Sequence, residues 1–144
     1  MVGDRRIGVD NAGLEVGFVP DPENWGRWEE AKALLEPARA RGDFATVWES
    51  DEVMCAVMDG DELLAVATAW LSTERFVEVK LVGGRDHRRW LSELDKVLGA
   101  AAREAGAERM VAIGRAGWLK SIAALGWAKV GETDPKTWVY SRGV

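Results

Sequence analysis

Phe76-Val77-Glu78-Val79-Lys80-Leu81-Val82-Gly83-Gly84-Arg85-Asp86-His87-Arg88-Arg89-Trp90-Leu91 is the stretch on which the fold turns. Val77, Val79 and Leu81 alternate with Glu78 and Lys80, which is the period of a strand with one buried face, so a strand is predicted over Phe76–Val82. Gly83 and Gly84 break it. A long helix is then predicted over Arg88–Ala105, because Trp90, Leu91, Leu94, Val97, Leu98 and Ala101 share one stripe and Gly106 can stop it. A glycine pair between a strand and a helix is where backbone N–H groups can gather around a phosphate.

Downstream, Met110–Ile113 reads as a short strand. The turn Gly114-Arg115-Ala116-Gly117-Trp118 follows, then a second helix lined by Trp118, Leu119, Ile122 and Leu125 and closed by Gly126. Val130 and Trp138–Tyr140 fall on two last strands around an Asp134-Pro135 turn. Upstream, Val53–Met58 and Glu62–Leu71 form a hairpin about Asp59-Gly60-Asp61. Leu14–Val19 is a first strand, and the dozen residues before it read as a frayed or extended lead-in. Asp21 is placed to cap a helix that starts at Pro22 and carries Trp25, Trp28, Leu35 and Ala38 on its buried face. Pro37 is expected to break that helix. The order is β-α-(α)-β-β-β-α-β-α-β-β, a meander followed by one β-α-β crossover, in a single domain over 1–144. Val77, Val79, Leu81, Leu94, Val97, Leu98, Val111, Ile113, Ile122 and Leu125 are expected to form one continuous core.

Composition narrows the function classes. The chain has 144 residues, 47% apolar and 30% charged, which suits one globular domain with one sizeable core. Apolar runs such as Leu63–Leu71 are too short to span a bilayer, and the N-terminus has no apolar signal region. A net charge of −5 with arginines dispersed among carboxylates argues against nucleic acid as a partner. Cys55 is the sole cysteine and His87 the sole histidine, so neither a disulfide nor a zinc site is expected. Cys55, inside Val53-Met54-Cys55-Ala56-Val57, reads as an inert core thiol in a reducing cytoplasm. Eight tryptophans stand against one tyrosine and three phenylalanines, and because tryptophan is enriched both in cores and at interface hot spots the excess hints at a partner.

The element order resembles the GNAT N-acetyltransferase superfamily over nearly the whole chain. Val82-Gly83-Gly84, the tryptophan that opens the long helix, Gly114-Arg115-Ala116-Gly117-Trp118 and Leu125-Gly126-Trp127 further resemble small GNAT-like proteins encoded by tailed phages and prophages. The resemblance implies an α+β fold, a mixed and largely antiparallel sheet with helices on both faces. In acetyltransferases of this fold the strand-to-helix turn carries Arg/Gln-x-x-Gly-x-Gly/Ala, whose small residues let backbone amides reach the pyrophosphate of acetyl-CoA. Aligned on Arg85, the small positions are held here by Arg88 and Trp90, and Asp86 adds a repelling charge. Counted back from Gly126, the family's tyrosine acid falls at Ile122, and its asparagine and alanine fall at Arg115 and Trp118.

Two functions follow. The first is a phage or prophage protein that keeps the scaffold, is non-catalytic or catalytically divergent, and works through contacts with other particle proteins or with itself. It would act in virion assembly, in the host cytoplasm or inside a phage-like particle. Arg115 and Trp118 are its interaction residues, and it needs neither cofactor nor metal. The second is an acetyl-CoA-dependent N-acetyltransferase with a remodelled cradle, in which Gly83 and Gly84 supply amides, Arg85, Arg88 and Arg89 supply charge, and Glu78 is the base. Tyr140, the only tyrosine, is expected to pack with its hydroxyl at the rim.

Overall fold

The computed structural model describes residues 5–9, 13–42, 47–49 and 51–144. Five strands in chain order form an antiparallel meander: β1 (Arg5–Val9), β2 (Leu14–Val19), β3 (Val53–Asp59), β4 (Glu62–Leu71) and β5 (Phe76–Gly84). The β3–β4 turn closes at Gly60, whose φ of 58° suits a glycine. The lead-in is therefore partly a strand, since β1 pairs with β2.

Helix α1 (Trp28–Arg41) lies between β2 and β3 in sequence, and a single 3-10 turn (Pro22–Asn24) precedes it. Asp21 makes no side-chain cap there, and the helix proper begins six residues beyond Pro22. It also runs unbroken through Pro37. One missing N–H is outweighed because Ala31 and Leu35 before the proline, and Ala38 after it, stay packed on the sheet.

Helix α2 (Leu91–Glu104) crosses over to β6 (Arg109–Arg115), which runs parallel to β5. A 3-10 turn (Ala116–Trp118), a four-residue helix α3 (Leu119–Ile122) and another 3-10 turn (Ala123–Leu125) replace the predicted second helix. The last strands are β7 (Ala128–Asp134) and β8 (Thr137–Gly143), and β8 lies between β6 and β7. The described residues thus form one eight-stranded sheet, β1-β2-β3-β4-β5-β6-β8-β7, with α1 on one face and α2 and α3 on the other.

Two cores replace the single one expected. One holds Val77, Val79, Leu94, Val97, Leu98 and Ile122 with Trp90, Trp127 and Tyr140; the other holds Leu81 with Ala31, Leu35 and Met54. Leu81 changes sides because β5 is bulged. Thr68 pairs with Leu81 while the next residue, Ala69, pairs with Val79, so Lys80 is the extra residue and strand alternation is reset there. Ile113 is in neither core and is 49% exposed. Each of Leu94, Val97 and Leu98 contributes about 1.5–3 kcal/mol of hydrophobic stabilisation to the α2 face.

All eight tryptophans are accounted for within the fold. Trp25, Trp28 and Trp48 pack on the α1-side core, Trp90, Trp118, Trp127 and Trp138 on the other, and the Trp70 indole donates to Glu78. Their number therefore does not by itself signal a partner.

Candidate functional site

Parallel pairing between β5 and β6 covers only Phe76↔Arg109 to Val79↔Ala112. Beyond it the strands diverge, directly after the bulge at Lys80. Each strand is still paired on its far side, to β4 and to β8, so the edges that face each other across the gap have no strand between them. The gap is a cleft of about 440 Å³ that passes through the sheet. Val79, Lys80 and Val82 line it from β5, Ala112 to Arg115 from β6, Leu91, Leu94 and Leu98 from α2, Trp118 and Ile122 from the α3 segment, and Ala38 and Arg41 from α1.

Glu78 stands on this wall and accepts the Trp70 indole N–H at 2.5 Å through Oε2. Tyr140 also reaches the cleft, but its ring is 1% exposed rather than at the rim, and its hydroxyl donates to the Arg115 carbonyl at 2.6 Å. Burial pushes its phenol above the ordinary tyrosine range. Ile122, in the position of the family's acid, is buried and only lines the space.

Gly83 and Gly84 belong to β5 rather than to a break after it. A Cβ on Gly83 would stand 1.9 Å from the Leu34 carbonyl oxygen of α1, and one on Gly84 would stand 2.6 Å from the Leu64 carbonyl oxygen. Their bareness lets the protein's own backbone approach, and no space for a ligand is left by it.

The loop that follows is closed on itself. The Arg85 amide donates to the Leu64 carbonyl at 2.9 Å, and the Arg85 carbonyl accepts the Trp90 indole N–H at 2.7 Å. The Arg85 guanidinium donates to the Leu63 carbonyl at 3.0 Å, and Arg89 pairs with Asp59 at 2.7 Å, both on the meander side. Trp90 lies under the loop in the core, 1% exposed, as its place on the apolar stripe of the helix implies. Asp86 takes φ 60°, a left-handed conformation at which glycine would be easier. His87 then crosses to the α3 segment: Nε2 is 3.2 Å from Ser121 Oγ, and the ring meets Trp118 edge-on at 5.5 Å. Arg88 is exposed and forms no ion pair among the described residues. Of the cradle residues, then, Arg85 and Arg89 are spent within the fold. Arg88 is the one cradle arginine left without such a partner among the described residues.

Arg115 is exposed at the end of β6, its guanidinium 5.9 Å from the centre of the half-buried Trp118 ring. The two predicted interaction residues are therefore neighbours. Arg41, on the last turn of α1, was not signalled by any motif, yet it lines the same cleft. Desolvation first, and the Arg115 guanidinium second, push its pKa down. Asp95 was also missed; it accepts from the Trp127 indole at 2.7 Å and from Arg142 at 3.1 Å and ties α2 to β8. Among the described residues no cluster of histidine, cysteine and carboxylate side chains could hold a metal, and no helix is long and apolar enough to cross a membrane.

No family model and no curated protein matches the chain by sequence. Solved structures do match by shape. An IAA acetyltransferase from Bacillus cereus superposes with a TM-score of 0.67 at 11% identity, over 92% of this chain and 100% of its own. An acetyltransferase from Thermus thermophilus gives 0.64 at 16%, over 97% and 100%. A Bacillus subtilis acetyltransferase solved in complex with CoA gives 0.63 at 13%, over 91% and 99%. The fold is the GNAT acetyltransferase fold. At these identities the likeness is one of fold, and function rests on the site.

Proposed function

We propose that this chain keeps the GNAT fold without transferring acetyl groups, and that it works through protein contacts made at the mouth of the cleft by Arg115 and Trp118. The observation that carries this is the self-closed loop between β5 and α2. Its first amide, its first carbonyl and two of its three guanidiniums are engaged by Leu64, Trp90, Leu63 and Asp59, so of the three arginines only Arg88 is left to meet a pyrophosphate. Ile122 supplies no proton where the fold's acid is expected. The setting we infer is a tailed phage or prophage, supported by the Gly114-Arg115-Ala116-Gly117-Trp118 and Leu125-Gly126-Trp127 elements, with the partner another particle protein or a second copy of the chain.

One observation favours a second function, an acetyl-CoA-dependent N-acetyltransferase: the through-sheet cleft is open and Glu78 stands on its wall. There Arg88 would supply the remaining charge to the cofactor, beside the amides that follow Gly83 and Gly84, and Glu78 would take a proton from an amine acceptor. Thermal melting with and without acetyl-CoA separates the two. A cofactor present at a hundred times its Kd adds roughly 2.7 kcal/mol to stability. The expected result is no shift at millimolar acetyl-CoA, and a clear upward shift that is lost in Arg88→Ala would overturn the non-catalytic proposal.

A further inference from the structure

The charged residues that line the cleft are three acids, Glu78, Asp95 and Asp134, and three bases, Arg41, Lys80 and Arg115. On the acidic side, Glu78 accepts from Trp70, Asp95 from Trp127 and Arg142, and Asp134 from the Lys136 amide at 2.8 Å. Lys80 is paired with Glu52 and Glu49. Arg41 and Arg115 remain, and neither forms an ion pair among the described residues. Glu78 and Asp134 likewise meet only neutral donors, but Arg41 and Arg115 stand near enough for each guanidinium to disfavour the other's charge, a repulsion that an anion received by both would relieve.

The same end of the cleft carries one exposed apolar side chain, Ile113, and core side chains line the way inward. Ile113 lies two residues before Arg115 on β6, so both project from the same face of the strand. It is one of the few large apolar side chains left exposed. Val79, Leu94, Ile122 and Leu125 continue this wall through the sheet. The Trp118 ring stands beside the Arg115 guanidinium and limits the directions it can take.

We propose that the cleft binds a carboxylate with an apolar body, its charge received by Arg41 and Arg115 and its body laid along Ile113, Val79, Leu94 and Ile122. Arginine suits this task because its planar fork matches a carboxylate, and the flanking apolar wall reduces competition from water. This goes beyond the protein-contact proposal and does not rest on acetyl-CoA, whose pyrophosphate would lie across the same mouth of the cleft, at the β5–α2 loop.

The test is isothermal titration of the full chain with octanoate, octanamide and octylammonium, with acetyl-CoA titrated in parallel. Octanoate is expected to bind at least tenfold more tightly than octanamide, and octylammonium not at all. Arg41→Gln and Arg115→Gln should each weaken octanoate about tenfold and leave octanamide unchanged, while Lys129→Gln, outside the cleft, should change neither. Should a variant melt abnormally, salt on the wild-type chain gives a second measurement: octanoate affinity should fall with ionic strength and octanamide affinity should not. Equal affinity for octanoate and octanamide, no binding of octanoate, or full octanoate affinity in both arginine variants would overturn the proposal. A positive acetyl-CoA titration beside arginine-dependent octanoate binding would overturn the non-catalytic function and leave this site standing.

Discussion

Replacing Gly83 by alanine tests how α1 is seated on the sheet. The added methyl would lie 1.9 Å from the Leu34 carbonyl oxygen and 2.7 Å from its carbonyl carbon, both backbone atoms inside a helix. No rotamer change relieves such a contact. To restore the 3.4 Å of ordinary contact the helix must withdraw by about 1.5 Å (3.4 − 1.9) at that point. Ala31 and Leu35, now fully buried, would then face a gap, and a separation of even 0.5–1 Å forfeits a quarter to a half of each dispersion contact. The cost is therefore placed at the upper end of overpacking, about 3 kcal/mol. With a urea m-value of about 1–3 kcal/mol/M, the unfolding midpoint should fall by 1 M or more. Gly117→Ala is the control, since nothing lies within 4 Å of its added methyl. Gly99→Ala is intermediate, because it meets only the tip of the Arg142 side chain, at 2.2 Å, which can move at the expense of its contacts with Asp95. A Gly83→Ala midpoint equal to that of Gly117→Ala would refute the reasoning.

Further expectations concern two buried groups. Burial pushes the Cys55 thiol up to about 12, and its side chain is 1% exposed, so a thiol reagent should label it only after denaturant is added. Labelling of the native chain within minutes would contradict that. Glu52 is buried with Oε2 unpartnered, and burial, opposed in part by the Lys80 ammonium, holds its pKa above the usual glutamate value. The native state then keeps a proton that the unfolded chain gives up near its ordinary value of about 4.3. Stability from this group is complete below that value and declines as pH rises through the raised folded pKa. Urea titrations of wild type and Glu52→Gln between pH 4 and 7 should show the wild type losing ground to the variant as pH rises; the opposite trend would mean a depressed carboxyl.

Much of this architecture was legible in residue order. The alternation of Val77 and Val79, the stripe of Leu94, Val97 and Leu98, and the Asp59-Gly60-Asp61 turn each carry a local period or turn chemistry that tertiary context did not override. Failures arose where a tertiary contact set the outcome. The bulge at Lys80 is fixed by pairing with β4, so the transfer of Leu81 to the other face could not be read from its own strand. Gly83 looked like a loop glycine, but its partner is Leu34, forty-nine positions earlier. Pro37 was given its usual helix-breaking weight, which packing on both sides outweighed. At the site, Arg115 and Trp118 were marked by the Gly-Arg-Ala-Gly-Trp turn and do meet. Arg41 had no such mark, because only the splay of β5 from β6 makes the end of α1 part of the cleft.

The short parallel seam between β5 and β6 also fixes when the cleft can exist. Strands β1 to β5 each pair with a chain neighbour, most of them across brief turns, so the loop-closure entropy of the β3–β4 and β4–β5 pairings is small and that part of the meander can assemble from near-local contacts. The seam has no such shortcut. It requires the chain to return from Gly84 to Arg109 by way of α2, a longer closure. Loop closure thus favours late docking of the β6–β8–β7 wing, and the space between the wings exists only once that wing is in place. The meander and α1 hold the whole α1-side core without that wing but cannot form the cleft, so a ligand that occupies the cleft requires the wing to be docked.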